Sequence, residues 1–208
     1  MTSVITGDII NTRSKQDQNI WLIPMQELLN TWGESPKVWE IYRGDSFQVE
    51  IQDAEKSLLS AIKIKARIKQ LDGIDVRMAV GVGEKTFEGE TITTSNGPVF
   101  IHSGETFDRL VKDKRTLVVK TEWDKFDEAI NIMLSLALKQ MDSWTPLMAE
   151  IVWASVNNPG KTQAEIAEII GKKRQSYISE GRKRALYEEI MQMEQYYAKH
   201  IHEIMQCQ

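Results

Sequence analysis

The chain has 208 residues, of which 41% are hydrophobic and 27% are charged. A chain of this length and composition can fold as one large or two small globular domains, and no apolar run reaches the 18 residues that a membrane-spanning helix requires. The formal net charge of −4 excludes a protein that coats nucleic acid through overall positive charge, so any contact with nucleic acid must be local.

From the N-terminal residues and the cysteine content we expect a cytoplasmic protein. Residues 1–8 lack the basic start and the apolar stretch of a secretory signal peptide. The single cysteine, Cys207, has no second cysteine with which to form a disulfide or a cysteine metal site. We therefore expect a reducing compartment.

Apolar periodicity in the first 120 residues predicts alternating strands and helices. The predicted elements are, in chain order, a strand over 3–10, a helix over 19–32, a hairpin over 39–51, a helix over 54–70, a strand over 74–82, a helix over 97–110 and a strand over 115–120. The order β-α-β-β-α-β, extended by a helix and a strand, predicts an α+β fold of the ferredoxin-like sandwich type, with helices on one face of the sheet.

Beyond about Thr121 the strand pattern stops and only helices are predicted. They cover 124–141, 146–156, 163–171 and 172–205. We therefore expect two domains, an α+β domain over 1–121 and an all-α domain over 122–208.

The stretch 162–185 has the pattern of a helix-turn-helix. Thr162 followed by Glu165 forms a capping box, which marks the start of a helix. The glycine at Gly171 allows the chain to turn, and a second helix is predicted over 172–185. In this motif the second helix enters the major groove, where its first residues contact base edges.

The second helix carries the densest basic cluster of the chain. The side chains that can reach phosphates or bases are Lys172, Lys173, Arg174, Gln175, Ser176, Tyr177, Arg182, Lys183 and Arg184. We expect Arg174 and Gln175 to contact bases. Phosphate contacts, which position a protein without reading sequence, are expected from the flanking cations Lys172, Lys173, Arg182 and Arg184. The alternative is a helical hairpin whose basic helix is only solvated.

Two residues depart from the usual helix-turn-helix pattern. Lys172 stands where an apolar residue often follows the turn glycine. Gly181 interrupts the second helix where a leucine is common, which costs about 1 kcal/mol in helix propensity.

Residues 186–205 form a long amphipathic stretch. Its apolar residues are spaced by three and four: Leu186, Ile190, Met193, Tyr197, Ile201 and Ile204. This face can pack on the preceding helices or pair with a second subunit. A homodimer would suit a protein that reads two half-sites.

Two aspartates in the N-terminal half are candidate ligands for Mg²⁺. Asp8 ends the first strand and Asp45 lies at the tip of the hairpin. In a β-α-β-β-α-β fold the first strand and the hairpin can be neighbours, so the two carboxylates can converge on one cation. The alternative is that Asp8 is an ordinary strand-end residue and Asp45 an ordinary turn aspartate.

Four short runs resemble the class III nucleotidyl cyclase catalytic domain over about residues 3–120. They are Thr6-Gly7-Asp8-Ile9, Arg43-Gly44-Asp45-Ser46-Phe47, Val76-Arg77-Met78-Ala79-Val80-Gly81 and Phe107-Asp108-Arg109-Leu110. The resemblance implies that Asp8 and Asp45 hold two metal ions that orient a nucleoside triphosphate, and that Arg109 contacts its phosphates.

Three departures from the cyclase pattern weigh against catalysis. Glu105 replaces the asparagine that cyclases place four residues before Arg109, and Ile41 replaces a base-selecting lysine. The chain between the matching runs is also shortened. We therefore do not expect a working cyclase.

A second resemblance covers nearly the whole chain. The runs Val4–Arg13, Arg43–Phe47 and Gly97–Gly104, joined to a C-terminal helix-turn-helix, are similar to the SatD family of small bacterial proteins. We expect a DNA-binding transcriptional regulator whose cyclase-like domain senses a ligand or dimerises. The alternatives are a Mg²⁺-dependent nucleotide-binding or cyclase-like enzyme acting at Asp8 and Asp45, and a scaffold that binds only proteins.

Overall fold

The computed structural model describes residues 1–12, 17–172 and 174–206. Lys173 and Cys207 therefore lie outside the described residues. The strands are β1 Thr2–Ile10, β2 Trp39–Tyr42, β3 Ser46–Ile51, β4 Asp75–Gly83 and β5 Leu117–Lys120. The helices are α1 Asn19–Leu29, α2 Ser57–Ile68, α3 Pro98–Asp113, α4 Asp124–Met141, α5 Pro146–Asn157, α6 Gln163–Ile169, α7 Gln175–Ala185 and α8 Tyr187–Gln206. The predicted α+β class is confirmed.

The strands form one mixed sheet in the order β2-β3-β1-β4-β5. The pairs β2/β3, β3/β1 and β1/β4 are antiparallel, and β4/β5 is parallel. The central strand β1 therefore has a neighbour on each side along most of its length. At its end, Asp8 lies opposite Ser46 of β3 and opposite Arg77 of β4.

Helices cover both faces of this sheet, so the prediction of one covered face is wrong. Ile5 of β1 packs in one buried cluster with Leu58 of α2. The next residue, Thr6, points to the other face because side chains alternate along a strand, and its hydroxyl donates to Ser103 of α3 at 3.1 Å. Strands that are buried on both faces lack a clean alternation of apolar and polar residues. The strand pattern therefore did not show how many faces of the sheet the helices cover.

The predicted helix over 172–205 is interrupted, and Lys172 and Arg174 are not helical. Arg174 is extended, with φ −131° and ψ 126°, and α7 begins at Gln175. Leu186 adopts the left-handed conformation, with φ 53°, between α7 and α8. Leucine rarely adopts this conformation, and no glycine or proline marks the break in the sequence.

Four of the six apolar residues predicted in the amphipathic stretch pack within the chain, as in the first of the two alternatives. Ile190, Met193, Tyr197 and Ile201 are buried in the same cluster as the sheet residues. The Tyr197 hydroxyl lies 2.6 Å from the Ser57 hydroxyl of α2. The cluster thus contains residues from both sides of position 121, and the domain boundary there stays a prediction. None of the described helices is both long and apolar enough to span a membrane.

Candidate nucleic-acid interface

The helices α5, α6 and α7 share a small hydrophobic cluster of their own. Its buried members are Ile151 and Ala154 of α5, Ile166 and Ala167 of α6, and Ile178 of α7. Ala167 of α6 has a side chain small enough to let a second helix cross closely. The cluster fixes the position of α7 relative to α6.

The first helix of this unit is short and capped at both ends. The Thr162 N–H donates to the Glu165 carboxylate at 2.7 Å, and the Glu165 N–H donates to the Thr162 hydroxyl at 3.3 Å. The capping box predicted from the sequence is therefore confirmed. The hydrogen bonds from Thr162 lower the pKa of Glu165. After the helix, Gly171 has φ +68°, and the next N–H, that of Lys172, donates to the Ala167 carbonyl at 2.7 Å.

Gly181, which the sequence presented as a defect in the second helix, lies at the contact between α7 and α5. A Cβ at this position would lie 2.2 Å from Cδ1 of Ile151, which is buried. Glycine therefore allows the two helices to approach closely here. The sequence signal was present, but it was interpreted as a cost in propensity rather than as a packing contact.

The residues at the start of α7 are exposed. Arg174, Gln175, Ser176 and Tyr177 are all exposed. The Gln175 amide donates to the side chain of Gln163 on α6 at 3.4 Å. The ammonium of Lys172, which precedes the helix, lies 5.5 Å from the centre of the Tyr177 ring, where a cation–π attraction operates. The structure thus brings five of the predicted residues together on one surface.

The basic residues at the other end of α7 divide into two groups. Lys183 and Arg184 are exposed, and Arg184 lies 4.0 Å from Glu180. The guanidinium of Arg182 instead lies 4.1 Å from the centre of the Tyr187 ring and 2.6 Å from Glu188. Because both of these partners belong to α8, Arg182 joins α7 to α8 within the chain.

The structure also brings together the two predicted metal ligands, Asp8 and Asp45. The Ile9 N–H donates to the Asp45 carbonyl at 3.0 Å. Both aspartates line an open depression of about 720 Å³, together with Asn11, Thr12 and Arg77. The predicted convergence of the first strand and the hairpin is therefore observed.

The partner of Asp8 was not predicted from the sequence. Arg77 of β4 contacts both carboxylate oxygens of Asp8, its Nε donating to Oδ1 at 3.0 Å. This hydrogen bonding raises the pKa of Arg77, with burial opposing and Asp45 adding to the effect. The guanidinium stands where a cation bound to Asp8 would lie, so the side chains of the depression do not form a ready site for Mg²⁺. Among the described residues, no group of three or more His, Cys, Asp or Glu side chains is arranged to hold a metal ion.

Arg109 lies apart from the two aspartates. It is on α3, its side chain is 72% exposed, and it lies 3.8 Å from Glu105 one turn earlier. The groove that it lines contains Lys120 and Asp127 and is separate from the depression at Asp8. The structure therefore does not bring Arg109 to the predicted metal ligands.

Comparison with known proteins gives no match: no protein-family model, no curated protein and no solved structure matches the chain. The resemblances to the SatD family and to the nucleotidyl cyclases therefore stay predictions.

Proposed function

We propose that this protein binds DNA in a sequence-dependent manner and acts as a transcriptional regulator, with α6 and α7 as its helix-turn-helix. The observation that carries the proposal is the exposed first turn of α7, which is held against α6 by a shared core. A helix whose first turn is exposed and is preceded by basic residues, here Lys172 and Arg174, can enter the major groove. Because the net charge of the chain is −4, its overall charge does not attract DNA, and binding depends on this local surface.

Within this proposal, the contacts differ in kind along α7. Arg174 and Gln175 contact base edges, since Arg pairs with guanine and Gln with adenine in the major groove. Lys172, Lys183 and Arg184 contact phosphates and set the position of the helix. Arg182 does not contact DNA in this proposal, because its guanidinium is engaged by Tyr187 and Glu188 of α8.

The strand order supports a ferredoxin-like sandwich as the partner of this helical unit. The strands β2-β3-β1-β4 are antiparallel throughout, which is the arrangement expected of a β-α-β-β-α-β chain whose connections are right-handed. In this proposal the sandwich, cyclase-like in its sequence pattern, senses a ligand or carries the subunit contact, and the helical unit delivers the response to DNA.

Selection of bound sequences from a random DNA pool tests the proposal. The wild-type protein is expected to enrich one sequence pattern. The variant Arg174→Ala/Gln175→Ala should lose this preference, each good base contact being worth about 1–3 kcal/mol of discrimination. Lys183→Ala should retain the preference but reduce the slope of log affinity against log salt by about 1.

A matched control is Lys112→Ala, since Lys112 is exposed on α3, outside the helical unit. This variant should behave as wild type in both assays. Unchanged preference in the double variant would show that α7 does not read the bases, and failure of the wild type to enrich any sequence would overturn the proposal.

A second candidate function is nucleotide binding with Mg²⁺ at Asp8 and Asp45. The observation that favours it is the convergence of both aspartates on one depression; the engagement of Asp8 by Arg77 weighs against it. A thermal unfolding scan with each nucleoside triphosphate, with and without Mg²⁺, tests it, since a ligand at a hundred times its Kd stabilises by about 2.7 kcal/mol. A shift that requires both metal and nucleotide and is absent in Asp45→Asn would support it, and no shift would remove it.

A further inference from the structure

One face of α4 is exposed and apolar at its centre. Ile132 and Leu136 are 55% and 70% exposed, and they lie four residues apart on the same side of the helix. Glu128 and Lys139 continue this face at its two ends, and both are exposed. We call these four residues the α4 stripe. It begins with an acid and ends with a base.

The α4 stripe adjoins an apolar groove between α4 and α8. The groove has a volume of about 430 Å³, and its lining includes Met133 and Ala137 of α4, Met193 of α8 and Leu186 between α7 and α8. Leu136 belongs to both the groove and the stripe. Contiguous apolar surface with a polar rim is typical of an interaction site.

Among the described residues, the charged ends of the stripe have no ion-pair partner. In the described part of the molecule, neither Glu128 nor Lys139 takes part in an ion pair. The neighbouring acids on α4 differ, since Asp124 and Asp127 lie 2.9 and 2.7 Å from Lys120. Glu128 and Lys139 are 11 residues apart, which on a helix is about 16 Å, too far for them to pair with each other.

We propose that the partner of this face is a second copy of the same chain, bound through an antiparallel pairing of the two α4 helices. A two-fold axis beside Met133 and Leu134 places position 128 of one copy opposite position 139 of the other. Glu128 then faces the partner's Lys139, and the symmetry repeats this pair at the other end. In this register Ile132 lies opposite the partner's position 135, one residue (about 1.5 Å) from Leu136, so these apolar side chains meet near the centre.

The charges of the α4 stripe are complementary to those of a second copy of the chain. A two-fold interface must be complementary to itself, which requires that the acid at one end of the stripe meet the base at the other end. The α4 stripe meets this condition in the antiparallel register. A parallel register would instead place Glu128 against Glu128 and Lys139 against Lys139.

The proposed dimer would place two α7 helices for binding to two DNA half-sites. The observations that support the dimer do not depend on DNA binding. Leu186 lines the groove and directly follows α7. The subunit contact therefore reaches the end of the proposed recognition helix. Two copies related by a two-fold axis present two such helices, as required for a pair of half-sites.

Sedimentation equilibrium of the full chain without DNA tests the proposal. The wild type is expected to form dimers. Glu128→Lys and Lys139→Glu should each raise the dimer Kd, roughly tenfold or more, because each places two like-charge contacts across the interface. The double variant Glu128→Lys/Lys139→Glu should return the Kd toward that of the wild type, since both pairs are restored with their signs exchanged.

Leu136→Glu should give a monomer. Its matched control is Val111→Glu, since Val111 is 63% exposed on α3, and this variant should dimerise as wild type. All substituted side chains are exposed, so circular dichroism and unfolding temperature should stay unchanged. A wild type that is monomeric at all concentrations, or a double variant no better than the singles, would overturn the proposal. Because these measurements contain no DNA, their outcomes do not depend on whether the DNA-binding proposal is correct.

Discussion

Removal of both carboxylates that surround the buried ammonium of Lys65 should destabilise the fold by more than the two single changes together. Lys65 is on α2 and its side chain is fully buried. Its Nζ lies 2.9 Å from Asp75 at the start of β4 and 2.7 Å from Asp142 after α4. The ammonium thus joins the sheet, α2 and the C-terminal helices. The variants to compare are Asp75→Asn, Asp142→Asn and the double variant Asp75→Asn/Asp142→Asn.

The expected loss in the free energy of unfolding depends on which carboxylates remain beside Lys65 in each variant. After either single change one carboxylate still contacts Lys65, so we expect a loss of about 1 kcal/mol for Asp75→Asn. Asp142 is 41% exposed, and solvent screening makes its loss smaller. After both changes the buried charge has no carboxylate, and breaking a buried ion pair costs about 3–5 kcal/mol. For a chain of this length this lowers Tm by about 6–20 °C.

Urea unfolding of the wild type, both single variants and the double variant measures the coupling. Lys65→Met added to the double variant should recover stability, because it removes the charge and retains an apolar side chain of similar length. If the double loss equals the sum of the single losses, or if Lys65→Met recovers nothing, an unpaired buried charge is not the cause.

Further stability predictions concern a buried acid and two glycines. Burial raises the pKa of Glu194 above its usual 4.5, so the folded state holds its proton longer than the unfolded state, and stability falls as pH rises above this value. Glu194→Gln should therefore stabilise the protein at pH 7 but not well below pH 4.5, as measured by urea unfolding at both pH values. Gly7→Ala should cost about 1–3 kcal/mol, since its Cβ would lie 2.6 Å from the Arg77 carbonyl. Gly104→Ala on α3 meets no atom within 4 Å and should stabilise by about 0.5–1 kcal/mol in the same assay.

The sequence predicted those features that depend on neighbours along the chain. The hairpin around Arg43-Gly44 and the capping box of Thr162 and Glu165 were predicted at their observed positions. Helix α4 was predicted with its observed ends, Asp124 and Met141. Turn chemistry, capping and apolar periodicity all act over a few residues, so they are visible without knowledge of the fold.

Features that depend on strand register or on contacts between distant helices could not be predicted. The pairing of Asp8 with Arg77 joins residues 69 positions apart, and it exists because β1 and β4 align those two positions. The contact of Gly181 with Ile151 likewise depends on how α7 lies on α5. The sequence contained both residues of each pair but no local signal that they meet.

The basic cluster of α7 illustrates the same limit at the proposed interface. An arginine uses the same guanidinium to bind phosphate or to pack within the chain. The sequence alone therefore does not distinguish the role of Arg182 from that of Arg184. The structure distinguishes them: Arg182 lies on the Tyr187 ring, and the neighbouring Ala185 carbonyl accepts a hydrogen bond from the Trp144 indole at 3.0 Å. The C-terminal end of α7 is thereby held in the fold, while its first turn at Gln175 is exposed. Within the proposed function, this asymmetry, rather than the number of basic residues, favours the first turn of α7 as the part that contacts bases.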